Sequence, residues 1–392
     1  RLLKYNFPHS LGFLYSMITD YLGFKSNNDE YKVMGLASYG QPEYYNKLKN
    51  VVKVLKTGEI KINFEYFNKH FRGKKYFSEK FIKEFGSYRL PDENIEQRHI
   101  NMASSIQKLL EEIVFLMLKN LKKLTGSKNI CLSGGVALNC KMNGLIIESR
   151  IFENVHIEPA PHDAGSSLGA AFLVKHQILN NRRIDYNLSP YLGLSFTNNH
   201  VKKILEKSNI NYQYYENIAE ITAKLLADKK LIGWFQGRDE WGPRALGSRS
   251  ILADPTFKDM KDIVNKKIKN REEFRPFAPV VIEEEAKEYF DIKENSPYML
   301  SVVKVKKKAK DLIPAVVHVD GTARPQTLSR KQNQLLFELL INFKKEKGIP
   351  VLLNTSFNVN KEPNVHTPED ALRCFFSTGL DFLIMGNYLI KK

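Results

Sequence analysis

The residues best suited to chemistry crowd into one stretch, QGRDEWGPRALGSRSILADP, from Gln236 to Pro255. Three arginines (Arg238, Arg244, Arg249) alternate with three glycines (Gly237, Gly242, Gly247) directly after the apolar run LIGWF. Glycine admits close backbone approach and positive φ. Arginine presents a planar fork of donors that matches carboxylate and phosphate oxygens. Together they predict an anion pocket at the end of a strand. Companions follow along the chain. KIKNREEFRPFAPVV holds Lys269, Arg271 and Arg275, with Pro276 and Pro279 stiffening what comes next. HVDGTARPQTL holds His318, Asp320, Thr322 and Arg324 around Gly321, and LLNTSFNVNKEP holds Asn354, Thr355, Ser356 and Asn358. Hydroxyls and amides beside arginines suit a ligand with phosphates and a neutral amide-like or carboxyl end. Arg271 reads as a surface ion pair. Arg244, Arg249, Arg275 and Arg324 lie in Gly/Pro-framed turns next to apolar residues, where a buried cation without a partner is costly.

The first half offers two weaker signals. In LSGGVALN, Ser133, Gly134 and Gly135 expose N–H groups where a helix begins, a place for a phosphate or ribose, and Asn139 can bond a sugar or base. A tight turn packing a helix on its sheet explains the same residues. In PHDAGSSLGAA, Asp163 follows a strand, and Gly165 and Gly169 allow close helix approach. Asp163 serves equally as a metal or Mg-nucleotide ligand or as a helix N-cap. His162 reads as a turn residue, and no His-x-x-x-His pair occurs, so no local motif completes a transition-metal site.

The elements that must position these groups follow from periodicity. Helices are predicted at Leu11–Tyr21 and from Met102 to Leu124, where Ile106, Leu109, Leu110, Ile113, Val114, Met117, Leu121 and Leu124 recur at helical spacing before Gly126. VVKVL, EIKINF, NICL and Val155–Glu158 read as strands, and strand–helix alternation predicts a parallel sheet with its loops at the carboxyl ends. In the second half, helices are expected near Ile218–Ala227, Met260–Ile268 and Pro368–Phe376, with strands at LIGWF, GIPVLLNTSFN and DFLIMG. KVKKKAK reads as a solvated strand end or loop. A polar break at NNRRIDYNLSPYLG divides the chain into domains 1–185 and 189–392.

With 392 residues, two domains are expected. The formal charge of +17 fits phosphate-rich ligands or a lysine-rich surface, and the absence of a basic stripe, zinc knuckle or aromatic platform argues against nucleic acid. Three cysteines without a Cys-x-x-Cys pair fit a reducing cytoplasm. No apolar run approaches about 20 residues, and RLLKYNFPHS has no signal-peptide core. The chain opens on Arg1 inside patterned sequence, and an N-terminal truncation is expected.

Taken in order, FPHSLGFLYSMITDYLGF, EYKVMGLASYG, LSGGVALNCKMNG, GRDEWGPRALGSRSILADP, NREEFRPFAPVV, HVDGTARPQT and LLNTSFNVNKEPNVHTPEDA resemble the O-carbamoyltransferase family of antibiotic and nodulation-factor biosynthesis. The resemblance implies an α/β chain with an actin-like ATPase domain, incomplete at its N-terminus, then a YrdC-like domain. It implies carbamoyl phosphate and ATP as substrates, carbamoyl adenylate as intermediate, and a hydroxyl acceptor in a natural product or sugar. It implies catalytic roles for Lys269, Arg275 and Ser356, and ligand contacts for Arg244, Arg249, Ser250, Arg324, Asn354, Ser133, Gly134, Gly135 and Asn139. Asp163 would bind a divalent metal (Fe²⁺ or Mn²⁺, with Mg²⁺ on ATP as a further option). The family's His-x-x-x-His segment would lie before Arg1. The alternatives are a nucleotide-binding protein without transfer and a tRNA threonylcarbamoylation enzyme. Association as a homodimer stays open.

Overall fold

A computed structural model describes residues 2–68, 76–183, 189–360 and 362–392. The chain separates into two compact units, Arg1–His156 and Ile157–Lys392. The polar break expected at 185/189 falls largely on residues outside the described ones, and the compactness boundary lies earlier.

The first unit holds helices α1 (Leu11–Tyr21), α2 (Glu30–Leu36), α3 (Tyr45–Val51), α4 (Glu79–Phe85), α5 (Gln97–Thr125) and α6 (Cys140–Ser149). Its strands are β1 (Val52–Val54), β2 (Ile60–Ile62), β3 (Asn129–Leu132) and β4 (Asn154–Ile157), β4 ending at the unit boundary. Helix α5 is its spine. Ile106, Leu109, Leu110 and Ile113 are fully buried against α1, α2 and α3, as their spacing predicts. The helix starts five residues earlier than expected because His99 Nδ1 accepts the Glu96 N–H at 3.0 Å. It stops at Gly126, which is left-handed at φ 63°. The irregular aromatic stretch before it becomes a cluster, with Phe81 between Phe77 and Phe85 at ring separations of 4.6 and 4.4 Å.

The second unit holds helices α7 (Ser166–Leu173), α8 (Asn198–Lys207), α9 (Ile218–Ala227), α10 (Met260–Val264), α11 (Ala286–Tyr289), α12 (Lys307–Leu312), α13 (Gln334–Lys347) and α14 (Pro368–Phe376). Its strands are β5 (Tyr212–Tyr214), β6 (Ile232–Phe235), β7 (Arg249–Ala253), β8 (Ala278–Ile282), β9 (Val303–Lys304), β10 (Thr322–Ala323), β11 (Gln326–Leu328), β12 (Val351–Ser356), β13 (Phe382–Met385) and β14 (Tyr388–Lys391). Eight of them form one sheet in the order β11-β8-β12-β7-β6-β13-β14-β5. Only β8–β11 and β6–β13 run parallel, and β6–β7, β7–β12 and β8–β12 are antiparallel. Chain alternation does not fix pairing direction, because β6 returns as β7 through a loop rather than through a crossover helix. The central strands are buried on both faces, and α9 packs on α13. KVKKKAK places Lys304 at the end of strand β9, as the strand-end reading has it, and Lys307–Lys310 in α12. Among the described residues, no helix is long and apolar enough to cross a membrane.

Candidate functional site

The register of the large sheet gathers the basic segments. On β12, Ser356 lies opposite Ser250 of β7, and Asn354 lies between Leu252 of β7 and Ala278 of β8. The loop 236–248 joins the exit of β6 to the start of β7, 269–277 leads into β8, and 357–360 leaves β12. Because β11 runs parallel to β8, Arg324 and Pro325 enter from the same side. Arg244, Arg275, Arg324, Asn354 and Ser356 therefore share one end of the sheet.

The loop 236–248 is built from inside. Glu240 Oε1 accepts from the N–H groups of Leu246 (2.8 Å), Ser248 (2.6 Å) and Arg249 (3.3 Å). Gly242 and Gly247 make the turns at φ 116° and 102°, and a Cβ on Gly247 would sit 2.2 Å from Leu336 Cδ2. Trp234 Nε1 donates to Gly247 O at 3.0 Å, and Gly247 N donates to Ser250 Oγ at 3.0 Å. The carbonyl of Leu246 accepts from Gln326 Nε2 (2.8 Å) and Tyr191 Oη (2.9 Å). Burial raises the Glu240 carboxyl above the usual carboxylate range, against the pull of its three backbone donors.

Several expected ligand contacts are occupied within the fold. Arg249 is fully buried and forks onto the carbonyls of Gln236, Ser248, Leu194 and Gly237 at 2.7–3.2 Å, stacked 3.7 Å from the centre of the Phe235 ring. Ser250 is fully buried, with its hydroxyl on Gly247. Lys269 is 2% exposed, and its ammonium donates to Ser356 O, Ser356 Oγ, Asn358 O and Asn358 Oδ1. Burial, then the charge of Arg271, pulls the Lys269 ammonium well below the usual lysine range. Lys269 thus holds the turn after β12, and Arg249 and Ser250 hold the arginine loop. These partners are not legible in the sequence, because backbone carbonyls and N–H groups leave no side-chain signature.

Open groups remain. Arg275 is half-buried beside Glu272, at 3.4 Å. Arg324 is half-buried and has no hydrogen-bond or ion-pair partner among the described residues. Asn354 is 1% exposed. Its amide N–H groups go to Gln326 Oε1 (2.9 Å) and Ala245 O (3.3 Å), while its Oδ1 is buried without a hydrogen-bond partner. Such an acceptor suits an incoming N–H. Sequence reasoning missed Glu240, Tyr191 and Gln326. The ten-residue span from Glu240 to Arg249, with two glycines inside, was the available signal for the first.

In the first unit, Ser133, Gly134 and Gly135 are exposed, and a Cβ on either glycine would meet nothing within 4 Å. Asn139 is different. Its Oδ1 accepts from Met142 N (3.0 Å) and Gln107 Nε2 (3.1 Å), and its Nδ2 donates to Gln107 Oε1 (2.9 Å). It caps α6 and ties that helix to α5, with one N–H of the amide left over. In the second unit, Asp163 is exposed at the start of a short 3₁₀ turn. Gly165 makes the expected close approach, with a Cβ falling 2.3 Å from Ala160 O, whereas Gly169 is open. His162 Nδ1 is buried without a hydrogen-bond partner.

Residues 2–172 match the family profile of the carbamoyltransferase N-terminus, and residues 223–392 match that of the carbamoyltransferase C-terminus. Nodulation protein NolO of Bradyrhizobium diazoefficiens is 38% identical over 99% of this chain and 70% of its own length. The chain belongs to the carbamoyltransferase family. Nodulation protein NolNO of Sinorhizobium fredii is 40% identical, over 98% of this carbamoyltransferase and 56% of its own length. An uncharacterized protein of Synechocystis sp. is 41% identical over 99% and 68%. A structure of full-length HypF in its phosphate- and nucleotide-bound form aligns with 47% of the chain and 23% of HypF at a TM-score of 0.32 and 15% identity, too remote to bear on the site. The basic sheet end lies wholly within the part of the carbamoyltransferase that matches the C-terminal profile, and Tyr191 lies between the two matched parts.

Proposed function

We propose that this carbamoyltransferase makes carbamoyl adenylate from carbamoyl phosphate and ATP at the basic sheet end, and then passes the carbamoyl group to an acceptor hydroxyl of a natural product or sugar. The supporting observation is the convergence of Arg244, Arg275 and Arg324 on one end of the sheet beside the unpartnered Oδ1 of Asn354. Water cleaves carbamoyl phosphate to carbamate and phosphate. A carbamate oxygen then attacks the α-phosphorus of ATP, and the bond to pyrophosphate breaks. The arginines stabilise charge on the phosphate oxygens as it develops. Asn354 Oδ1 accepts from the carbamoyl NH₂, which gives this buried acceptor a donor. In the transfer step the acceptor oxygen attacks the carbamoyl carbon, the bond to AMP breaks and the hydroxyl proton departs. A YrdC-like description of the second unit and an actin-like description of the first belong to this proposal, as does a cytoplasmic setting, which three free cysteines support.

The family resemblance also implies a metal. Among the described residues no group of three or more His, Cys, Asp or Glu is arranged to hold one. Asp163 is exposed without such a set around it. The described residues do not fit a metal centre, and no step is routed through one.

The test is ATP–pyrophosphate exchange with the full chain. Exchange that requires carbamoyl phosphate, with carbamoyl adenylate trapped by mass spectrometry, is the expected result. A folded protein that binds pyrophosphate yet shows no carbamoyl phosphate-dependent exchange would refute the assignment.

A further inference from the structure

We propose that Glu240 is the positioning residue of the arginine loop: its carboxylate draws the two ends of the 240–249 segment together and so sets where Arg244 meets a bound anion. This rests on the reading of the basic sheet end as an anion site. One oxygen, Oε1, receives three backbone N–H groups, those of Leu246, Ser248 and Arg249. The enclosed segment has no strand ladder of its own and contains two positive-φ glycines, Gly242 and Gly247. Without the carboxylate those hinges are free, and three N–H groups lose their acceptor. The outer side of the loop is fixed to the sheet, with Ala245 O on Asn354 and Leu246 O on Gln326 and Tyr191. Arg244 sits between the two sets of bonds, directly before the clamped carbonyls.

The choice of a carboxylate over an amide carries the argument further. A glutamine Oε1 would accept the same three N–H groups and spare the fold a buried charge. Here Oε2 is buried without a hydrogen-bond partner, and the guanidinium of Arg249 is already committed to four carbonyls. A carboxylate gives charge-assisted bonds of roughly twice the strength of neutral ones. That extra strength acts only on the loop ends, which makes the rigidity of Arg244's support the property retained.

The experiment measures binding of inorganic pyrophosphate to the full chain by calorimetry, with thermal unfolding on every sample. The variants are E240Q, E240D, R244A and the double variants E240Q/R244A and E240D/R244A. E240Q keeps volume and acceptor and is expected to weaken binding about tenfold. E240D keeps the charge but withdraws it by one methylene, is expected to weaken binding to a similar extent, and stands in if E240Q does not fold. Because Glu240 acts through Arg244, E240Q/R244A should bind no more weakly than R244A within about twofold, and E240D/R244A should behave alike. Additive losses in the double variant would overturn the proposal, as would unaltered affinity in folded E240Q and E240D. Wild-type protein that does not bind pyrophosphate overturns it as well. Wild-type protein that binds pyrophosphate but lacks exchange activity refutes the adenylation reading alone.

Discussion

Replacing Lys269 by methionine tests whether a buried ammonium holds the turn after β12. The side chain is 2% exposed and donates to four oxygens on Ser356 and Asn358. Methionine fills a similar volume but donates nothing, so the half-buried carbonyls of Ser356 and Asn358 lose a donor at about 1–3 kcal/mol each. Methionine also removes the cost of burying the ammonium, which offsets part of that loss. A net destabilisation of about 3 kcal/mol is expected, read by urea unfolding at pH 7. The pH dependence supplies a second reading. The Lys269 pKa in the fold lies below its unfolded value of 10.5. Between the two values the unfolded chain binds more protons, so the wild type gains stability over K269M as pH rises towards 10.5, and loses it as pH falls through the folded value. The turn that Lys269 holds carries Ser356, so pyrophosphate exchange should fall as well. A K269M protein within about 0.5 kcal/mol of wild type with full exchange activity would refute the reasoning, as would a stability gap that narrows with rising pH.

Three further outcomes are expected. R275A should keep its fold and weaken ATP binding by about 1.5–3 kcal/mol, roughly 10- to 150-fold, in calorimetry, since a charge-assisted contact is lost. G247A should destabilise the protein by on the order of 2–4 kcal/mol in urea, because the new Cβ collides with Leu336 at a φ of 102°. N139A should cost about 1–2 kcal/mol in urea unfolding by removing the α6 cap, while the Gln107 amide keeps its bonds to Tyr15 and Glu111, with no first-order effect on nucleotide affinity in calorimetry.

Local pattern was legible where one element decides its own form. Leu11–Tyr21, Ile218–Ala227 and Pro368–Phe376 form the helices that their periodicity and caps predict. The segments that converge at the site were also visible, since each carries its own glycine, proline or amide signature. What sequence could not show is which polar atom meets which backbone group. Arg244 and Arg249 sit in the same motif with the same neighbours, yet Arg249 forks onto four carbonyls. Asn139 looked like a ligand contact because its capping partner, Met142 N, and its amide partner, Gln107, are respectively anonymous and 32 residues away. Pairing direction in the large sheet was hidden for the same reason, because register is a property of two strands rather than one.

The segment that begins at Ser189 has a consequence for how this enzyme can be cut. Trp241 N donates to Pro190 O, Gly193 N to Asp239 O, Asp239 N to Leu194 O, and Arg238 and Arg249 reach Leu192 O and Leu194 O. With Tyr191 on Leu246 O, these bonds make a lacing across the outside of the arginine loop. A fragment started at 223, where the C-terminal family profile begins, would keep every arginine and lose the lacing, together with α8 and the edge strand β5. Its guanidinium groups would be intact in composition and misplaced in space. A fragment meant to report on the basic sheet end has to begin no later than Ser189, so the boundary of sequence similarity and the boundary of mechanical integrity differ by more than thirty residues.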